Sequence, residues 1–332
     1  MEDAERERNG ELIGPALGPV TAGQIEADLE RGKIYRLNDR FFKFLFGREE
    51  RKPLFLDLVN ALVFPDGSAG FTDFEYANRE LSAARVEGKD CYLDIVANMA
   101  DGTQVEVEVQ VRNWNDYLQR SAYYLSTLHA SQMGLGGSYL DLKRTVSIHI
   151  LAFSLFSGER FRREFCLCDV ESGEKLSDDL KLIYLEVPKY ASYGTPRNRL
   201  EYWLMYLAGM EAKKMPEAMV KDPMIGEALN LEKLFLQSRE ERQRYIVSYK
   251  AMRDAMTRDE TIRRVARAEG EARGEARGEA RGLAKGLNEG EAKGIAATAR
   301  RMLARGVSSE QVADFTGLSP DEVEALRVGI GN

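Results

Sequence analysis

Valine alternates with polar residues along residues 104–111, and this period of two predicts a β-strand. A second apolar run, residues 91–96, is interrupted only by Asp94 and predicts another strand. The turn-forming pair Asp101-Gly102 lies between the two runs, so the pattern predicts a β-hairpin. Carboxylates are thus placed on otherwise apolar strands, where an isolated charge is costly unless something pairs with it, such as a divalent metal ion.

The loop of this hairpin decides whether its carboxylates can meet. A two-residue turn would pair Asp94 with Val109 and turn Glu108 to the other face. A loop of residues 100–102, with Gly102 left-handed as a G1 bulge, would set Asp94 directly opposite Glu108. We expect the bulged register, because two close carboxylates form a site for one or two metal ions. Spacing alone leaves the alternative open, an ordinary exposed hairpin with a carboxylate-bearing polar face.

Helical and strand patterns surround the hairpin. Residues 39–47 and 51–63 have helical periodicity, a crossover helix is predicted around Arg120, and the apolar run 146–153 predicts a central strand. A hairpin, a crossover helix and a strand make an α/β unit. Further strands are predicted at residues 161–169 and 182–187, a helix at 198–210, and a polar helix or linker at 239–261.

Glycine occurs at every fourth position from Gly270 to Gly294. A period of four stacks Glu and Arg in rows along a helix, but each glycine costs about 1 kcal/mol of helix stability relative to alanine. We therefore predict a marginal, solvated helix or a flexible tether. Beyond it, Ser308 and Ser319 are candidate N-caps in a pattern like helix-turn-helix spacing, with a small protein-interaction or oligomerisation tail as the alternative.

Composition narrows the class of protein. The 332 residues suffice for a full core plus an appended segment, and the net charge of −7 argues against strong non-specific DNA binding without excluding a local basic groove. No apolar run approaches the length that spans a membrane, the N-terminus has no signal-peptide stretch, and three cysteines form no disulfide framework. These features predict a cytoplasmic protein.

Four segments resemble one family: the residues Asp39-Arg40-Phe41-Phe42-Lys43-Phe44-Leu45-Phe46-Gly47, Leu93-Asp94-Ile95, Val107-Glu108-Val109-Gln110 and the range 120–124. They are similar to the recombination-promoting nuclease / putative transposase family of the PD-(D/E)XK nuclease superfamily. The glycine-periodic segment followed by Thr-Gly-Leu-Ser is also similar to its members. The resemblance implies an α/β fold with a restriction-endonuclease-like mixed sheet flanked by helices. It further implies a DNA endonuclease that uses Mg²⁺ or Mn²⁺ and serves recombination or transposition.

Site residues follow from the resemblance position by position. Asp94 and Glu108 match the acidic motif residues and are the expected metal ligands, while Gln110 takes the place of the motif lysine. Gln110 can orient water or phosphate but supplies neither a cation nor a titratable base. Asp39 is a candidate for a further catalytic carboxylate, although it could instead cap its helix. A catalytically weak or inactive protein that binds DNA or regulates through oligomers is the alternative function.

Three accessory positions complete the expectation. Glu80 is another candidate carboxylate, and Lys89 could replace the missing lysine unless it is simply solvated. Arg120 could hold a phosphate or form a structural salt bridge. The expected organisation is a flexible segment 1–33, a nuclease-like domain 34–235, a helical linker 236–296 and a small helical tail 297–332, in a protein expected to bind DNA and form homo-oligomers.

Overall fold

The computed structural model describes residues 20–77, 95–113, 116–134, 136–190 and 194–328. The chain divides into two compact units, with the boundary between Arg258 and Asp259. The first unit holds a six-stranded mixed sheet flanked by helices, which confirms the predicted fold class.

The strands are β1 (Phe74–Tyr76), β2 (Ile95–Met99), β3 (Gln104–Gln110), β4 (Thr145–Leu151), β5 (Arg162–Cys166) and β6 (Leu180–Glu186). Their order in the sheet is β1-β2-β3-β4-β6-β5. Strand β3 is parallel to β4, and β4 is parallel to β6, while the other neighbours are antiparallel. The helix between β3 and β4 makes the predicted crossover.

Nine helices of at least eight residues and several shorter ones are described. In chain order the α-helices are α1 (Ala22–Glu30), α2 (Asp39–Phe46), α3 (Lys52–Val63), α4 (Tyr117–Ala130), α5 (Val187–Tyr190), α6 (Arg199–Leu207), α7 (Glu217–Val220), α8 (Pro223–Gln237), α9 (Arg239–Ala304), α10 (Ser309–Thr316) and α11 (Pro320–Val328). Helix α1 was not predicted. The Thr21–Gln24 capping box starts it, and Ile25 and Leu29, one turn apart, bury it in the core.

The main core lies against one face of the sheet. Alternation places Val105 and Val107 of β3 on this face, where α2, α3, α6 and α8 contribute large buried side chains such as Phe41 and Trp203. The intervening polar residues of β3 therefore face the other side, which helix α4 covers. This division between an apolar and a polar face positions the candidate site.

The hairpin between β2 and β3 has the predicted register over its described pairs. Ile95 lies opposite Val107 and Asn98 opposite Gln104. The Gly102 amide donates to the Met99 carbonyl at 2.8 Å, and Gly102 has φ +87°, the left-handed conformation that favours glycine. The three-residue loop 100–102 is thus confirmed. Asp94, for which the register was argued, lies outside the described residues.

Helix α9 crosses the boundary between the units and includes the whole glycine-periodic segment. In the second unit, Ala299, Val312 and Val323 form a small core between the last turns of α9, α10 and α11. Ser308 caps α10, and Gly317 ends it with φ +71°. Ser319, the other candidate N-cap, forms a capping box with Glu322. None of the described helices combines the length and apolar character needed to cross a membrane.

Candidate active site on the polar face of the sheet

Strand β3 presents two buried carboxylates on its polar face. Glu106 and Glu108 are two residues apart, so alternation places them on the same side, with Gln110 next along the strand. The exposed fraction is 0% for Glu106 and 6% for Glu108. Carboxylates are rarely buried to this extent without compensating polar groups, and such groups lie on the neighbouring strand.

Strand β4 supplies these groups through its parallel pairing with β3. Ser147 is the partner of Glu106, and His149 is the partner of Glu108. Both β4 side chains are fully buried. The same alternation that aligns two carboxylates on β3 therefore aligns a hydroxyl and an imidazole beside them.

These side chains form a hydrogen-bond chain with a single direction. Ser147 Oγ donates to Glu106 Oε2 at 2.8 Å, which uses the only hydroxyl proton. His149 Nε2 lies 2.9 Å from Ser147 Oγ and must therefore donate to it. Burial lowers the pKa of His149 to about 3, so the imidazole is neutral and its Nδ1 is an acceptor. Tyr117 Oη, 2.9 Å from Nδ1, is then the donor.

The first turn of α4 brings Tyr117 and Arg120 to Glu108. Burial, followed by the negative charge of Glu108, raises the pKa of the Tyr117 phenol. Partial burial opposes the charge of Arg120, but a 3.2 Å hydrogen bond to Tyr124 Oη and the charge of Glu108 raise its pKa. Arg120 is therefore the cation that the described part of α4 places within electrostatic range of Glu108.

Gln110 has its amide donor engaged at the end of the strand. Gln110 Nε2 donates one of its two protons to the Arg112 carbonyl oxygen at 2.8 Å. The side-chain oxygen is an acceptor that Gln110 can offer to a ligand. Where the motif would have a lysine, this chain has a neutral amide.

Asp39 is the first residue of α2, and its neighbour Asn38 is the N-cap. Asp39 Oδ1 forms an ion pair with Lys43 Nζ at 2.6 Å, and its side chain is 58% exposed. Helix α2 packs on the valine face of the sheet, whereas Glu108 lies on the polar face. Glu80, Lys89 and Asp94 lie outside the described residues.

Comparison with known protein families matches most of the chain. Residues 36–260 match the family described as PD-(D/E)XK nuclease family transposase. The chain belongs to this family. Residues 298–328 match the Rpn/YhgA-like nuclease family, C-terminal HTH domain, so the protein is an Rpn-type member. Comparison with the curated proteins and with the solved structures found no match.

Membership in this nuclease family supports a nuclease- or transposase-like function with DNA as a partner. Within the described ranges, no three His, Cys, Asp or Glu side chains form a group that could hold a metal ion. Glu108 and Gln110 offer oxygen atoms, which are the donors that Mg²⁺ and Mn²⁺ prefer. The described donors are thus of the chemical type that such an ion would need.

Four residues of this Rpn-type family member were not predicted as parts of the site: Glu106, Tyr117, Ser147 and His149. A signal for Glu106 was present, since it alternates with valine in the same strand as Glu108. His149 lies in the apolar run predicted as a central strand, and it is fully buried with two hydrogen bonds. Its connection to the carboxylates depends on the pairing of β3 with β4.

Proposed function

We propose that this protein is a metal-dependent DNA endonuclease that hydrolyses phosphodiester bonds and so promotes recombination or transposition. The observation that carries the proposal is the buried Glu108 carboxylate, flanked by Gln110 on its strand and approached by Arg120 from α4. A carboxylate kept from water is a strong ligand for a hard cation, because few water molecules compete with the ion.

Asp94 and Glu108 are the residues that would hold the metal ion. Asp94 immediately precedes Ile95, which pairs with Val107, and a strand continued in that register would set Asp94 opposite Glu108. A bound divalent ion would polarise the scissile phosphate and activate water. Arg120 would bind a non-bridging phosphate oxygen, and Gln110 would orient a water molecule through its side-chain oxygen.

The second candidate is a DNA-binding or regulatory protein that has lost cleavage. The observation in its favour is Gln110, because neither its neutral amide nor its engaged Nε2 replaces the charge of the motif lysine. The two candidates agree on DNA binding and differ only in hydrolysis. Lys89 stays a candidate to replace the lysine, and Asp39 and Glu80 stay candidates for a further carboxylate.

Nicking of supercoiled plasmid by the full chain in Mg²⁺ or Mn²⁺ separates the candidates. We expect wild type to nick the plasmid, and both Glu108→Gln and Asp94→Asn to fall to background. Glu75→Gln is the matched control, because Glu75 is an exposed carboxylate on β1 of the same sheet. Absence of nicking by wild type, or equal nicking by all four proteins, would favour the non-cleaving alternative.

We further propose that the protein forms homo-oligomers through its second unit. Leu283 and Leu287 lie one turn apart on α9 and are 68% and 62% exposed, which favours a partner for this side of the helix. In analytical ultracentrifugation, Leu283→Glu with Leu287→Glu should reduce the mass of the wild-type oligomer. Asn288→Glu adds a charge beside them and serves as the control. A monomeric wild type would refute this proposal.

A further inference from the structure

Two buried tyrosines contact the same histidine on the polar face of the sheet. The Tyr184 ring stacks on His149, with centroids 5.0 Å apart and an interplanar angle of 19°, and its hydroxyl bonds Ser121 Oγ. The Tyr117 ring meets His149 edge-on, at 5.6 Å and 84°, and its hydroxyl bonds His149 Nδ1. Both rings therefore contact His149, but only the Tyr117 hydroxyl is hydrogen-bonded to it.

The direction of the chain fixes the role of the Tyr117 hydroxyl. Because Ser147 donates to Glu106, each following group must donate in turn, and the Tyr117 proton is committed to His149. The hydroxyl oxygen then offers only lone pairs to any other group. Tyr117 cannot donate to Glu108 while the chain keeps this direction, although the charge of Glu108 acts on its phenol.

A group that forms hydrogen bonds with both Glu108 and Tyr117 must therefore be the donor in both. Water has two protons and meets this requirement, and a buried water needs two to four polar partners. The carboxylate of Glu108 and the Tyr117 oxygen are acceptors for those protons, while Arg120 can donate to the water oxygen. The first turn of α4 and Glu108 together thus provide the donor and the acceptors that a bound water molecule needs.

We propose that Tyr117 orients a water molecule at Glu108, and that His149, Ser147 and Glu106 are positioning residues that fix the Tyr117 hydroxyl. The inference rests on the proposed nuclease function and adds to it a water-orienting group. Tyr117 would accept a hydrogen bond from a water molecule of the metal's hydration shell. The lone pair of the water oxygen would then point away from Tyr117. Hydrogen bonds of this kind around a metal's ligands set the affinity of the site.

The first test measures Mn²⁺ binding by the full chain without DNA, using calorimetry. Tyr117→Phe removes one oxygen and keeps the ring, and we expect it to weaken Mn²⁺ binding about 10-fold. Tyr184→Phe is the matched control, because it makes the same change on the other ring that contacts His149, and it should bind like wild type. Thermal unfolding of both variants checks that each is folded.

The outcomes separate this inference from the proposed function. If wild type binds Mn²⁺ and Glu108→Gln abolishes binding, but Tyr117→Phe binds like Tyr184→Phe, the water-orienting role is overturned while the nuclease proposal stands. If wild type binds no Mn²⁺, both are overturned. A selective loss in Tyr117→Phe supports the inference.

The second test examines the donor-to-acceptor direction of the hydrogen-bond chain from Tyr117 to Glu106. The protein has only two histidines, so ¹⁵N-histidine labelling gives a simple NMR spectrum, and His129→Gln assigns the remaining signals to His149. We expect His149 to be the neutral Nε2–H tautomer near neutral pH. The Nδ1–H tautomer would mean that Tyr117 donates toward Glu108, and this would overturn the proposed role. Ser147→Ala, which removes the group that fixes the tautomer, should increase the Nδ1–H fraction.

Discussion

Glu108 lies directly opposite His149 in the parallel pair of β3 and β4, and both side chains are buried. A neutral imidazole does not balance the charge of a carboxylate. Among the described residues, Arg120 places a positive charge near Glu108, from a helix rather than from the sheet. The strands therefore supply the acceptors of the site, while α4 supplies both its cation and the Tyr117 hydroxyl.

Glu106 is expected to contribute to stability through the hydrogen-bond chain. In Glu106→Ala, Ser147 loses its acceptor, and a buried group left without a partner costs about 1–3 kcal/mol. The free energy of unfolding from urea denaturation should fall by at least that amount. Glu75→Ala, at an exposed position of β1, should change it by less than about 0.5 kcal/mol. An equal loss of unfolding free energy in both variants would show that the hydrogen-bond chain does not stabilise the fold.

His149 predicts a pH dependence of stability with a definite sign. Its pKa is about 3 in the folded protein and near 6.5 when exposed, so between these values the unfolded state binds more protons. The contribution of neutral His149 is therefore complete above about pH 6.5 and is lost as pH falls toward 3, by up to about 1.4 kcal/mol per pH unit.

The measurement is the unfolding free energy of wild type and His149→Gln at several pH values below 6.5. The wild-type curve should fall more steeply than that of the variant, since glutamine does not titrate. Tyr184→Phe keeps the imidazole and should keep the steeper fall. Parallel curves for wild type and His149→Gln would show that His149 does not remain neutral in the fold.

Arg120 is expected to contact a DNA phosphate. Removing one phosphate contact weakens binding for all sequences and reduces the slope of log affinity against log salt by about 1. Fluorescence anisotropy with duplex DNA, without divalent metal so that cleavage does not occur, measures this slope for Arg120→Gln. Arg160→Gln, an exposed loop arginine of the same unit, is the control. An unchanged slope in Arg120→Gln would indicate a purely structural role.

Local sequence patterns predicted the elements but not their long-range contacts. The register of the hairpin could be predicted because Gly102 is the residue of the loop that most readily takes a positive φ. The hydrogen-bond chain could not be predicted, because Glu106 and Ser147 are 41 residues apart and come together through the parallel pairing of β3 with β4. Periodicity places a side chain on a face but does not say which strand lies beside it.

The other differences between prediction and structure concern the starts of two helices, α1 and α2. Helix α1 escaped prediction because Thr21 and Gln24, which start it, lie in a segment otherwise rich in glycine and glutamate. Asp39 was a possible cap, but Asn38 performs that role, with its side chain accepting from the Arg40 and Phe41 amides. Two adjacent residues were both good caps, and only the backbone conformation distinguishes them.

Two glycines in different settings give predictions of opposite sign. Gly102 has φ +87°, and a Cβ there would lie 3.1 Å from Lys143 Cγ, so Gly102→Ala should destabilise the first unit by about 1–2 kcal/mol. Gly274 lies within helix α9 with nothing within 4 Å of an added Cβ, so Gly274→Ala should stabilise the helix by about 1 kcal/mol. Urea denaturation measures the first, and the helical circular dichroism signal on heating measures the second. A neutral Gly102→Ala would mean that the loop does not need the left-handed residue, and the register that would set Asp94 opposite Glu108 would lose its physical basis.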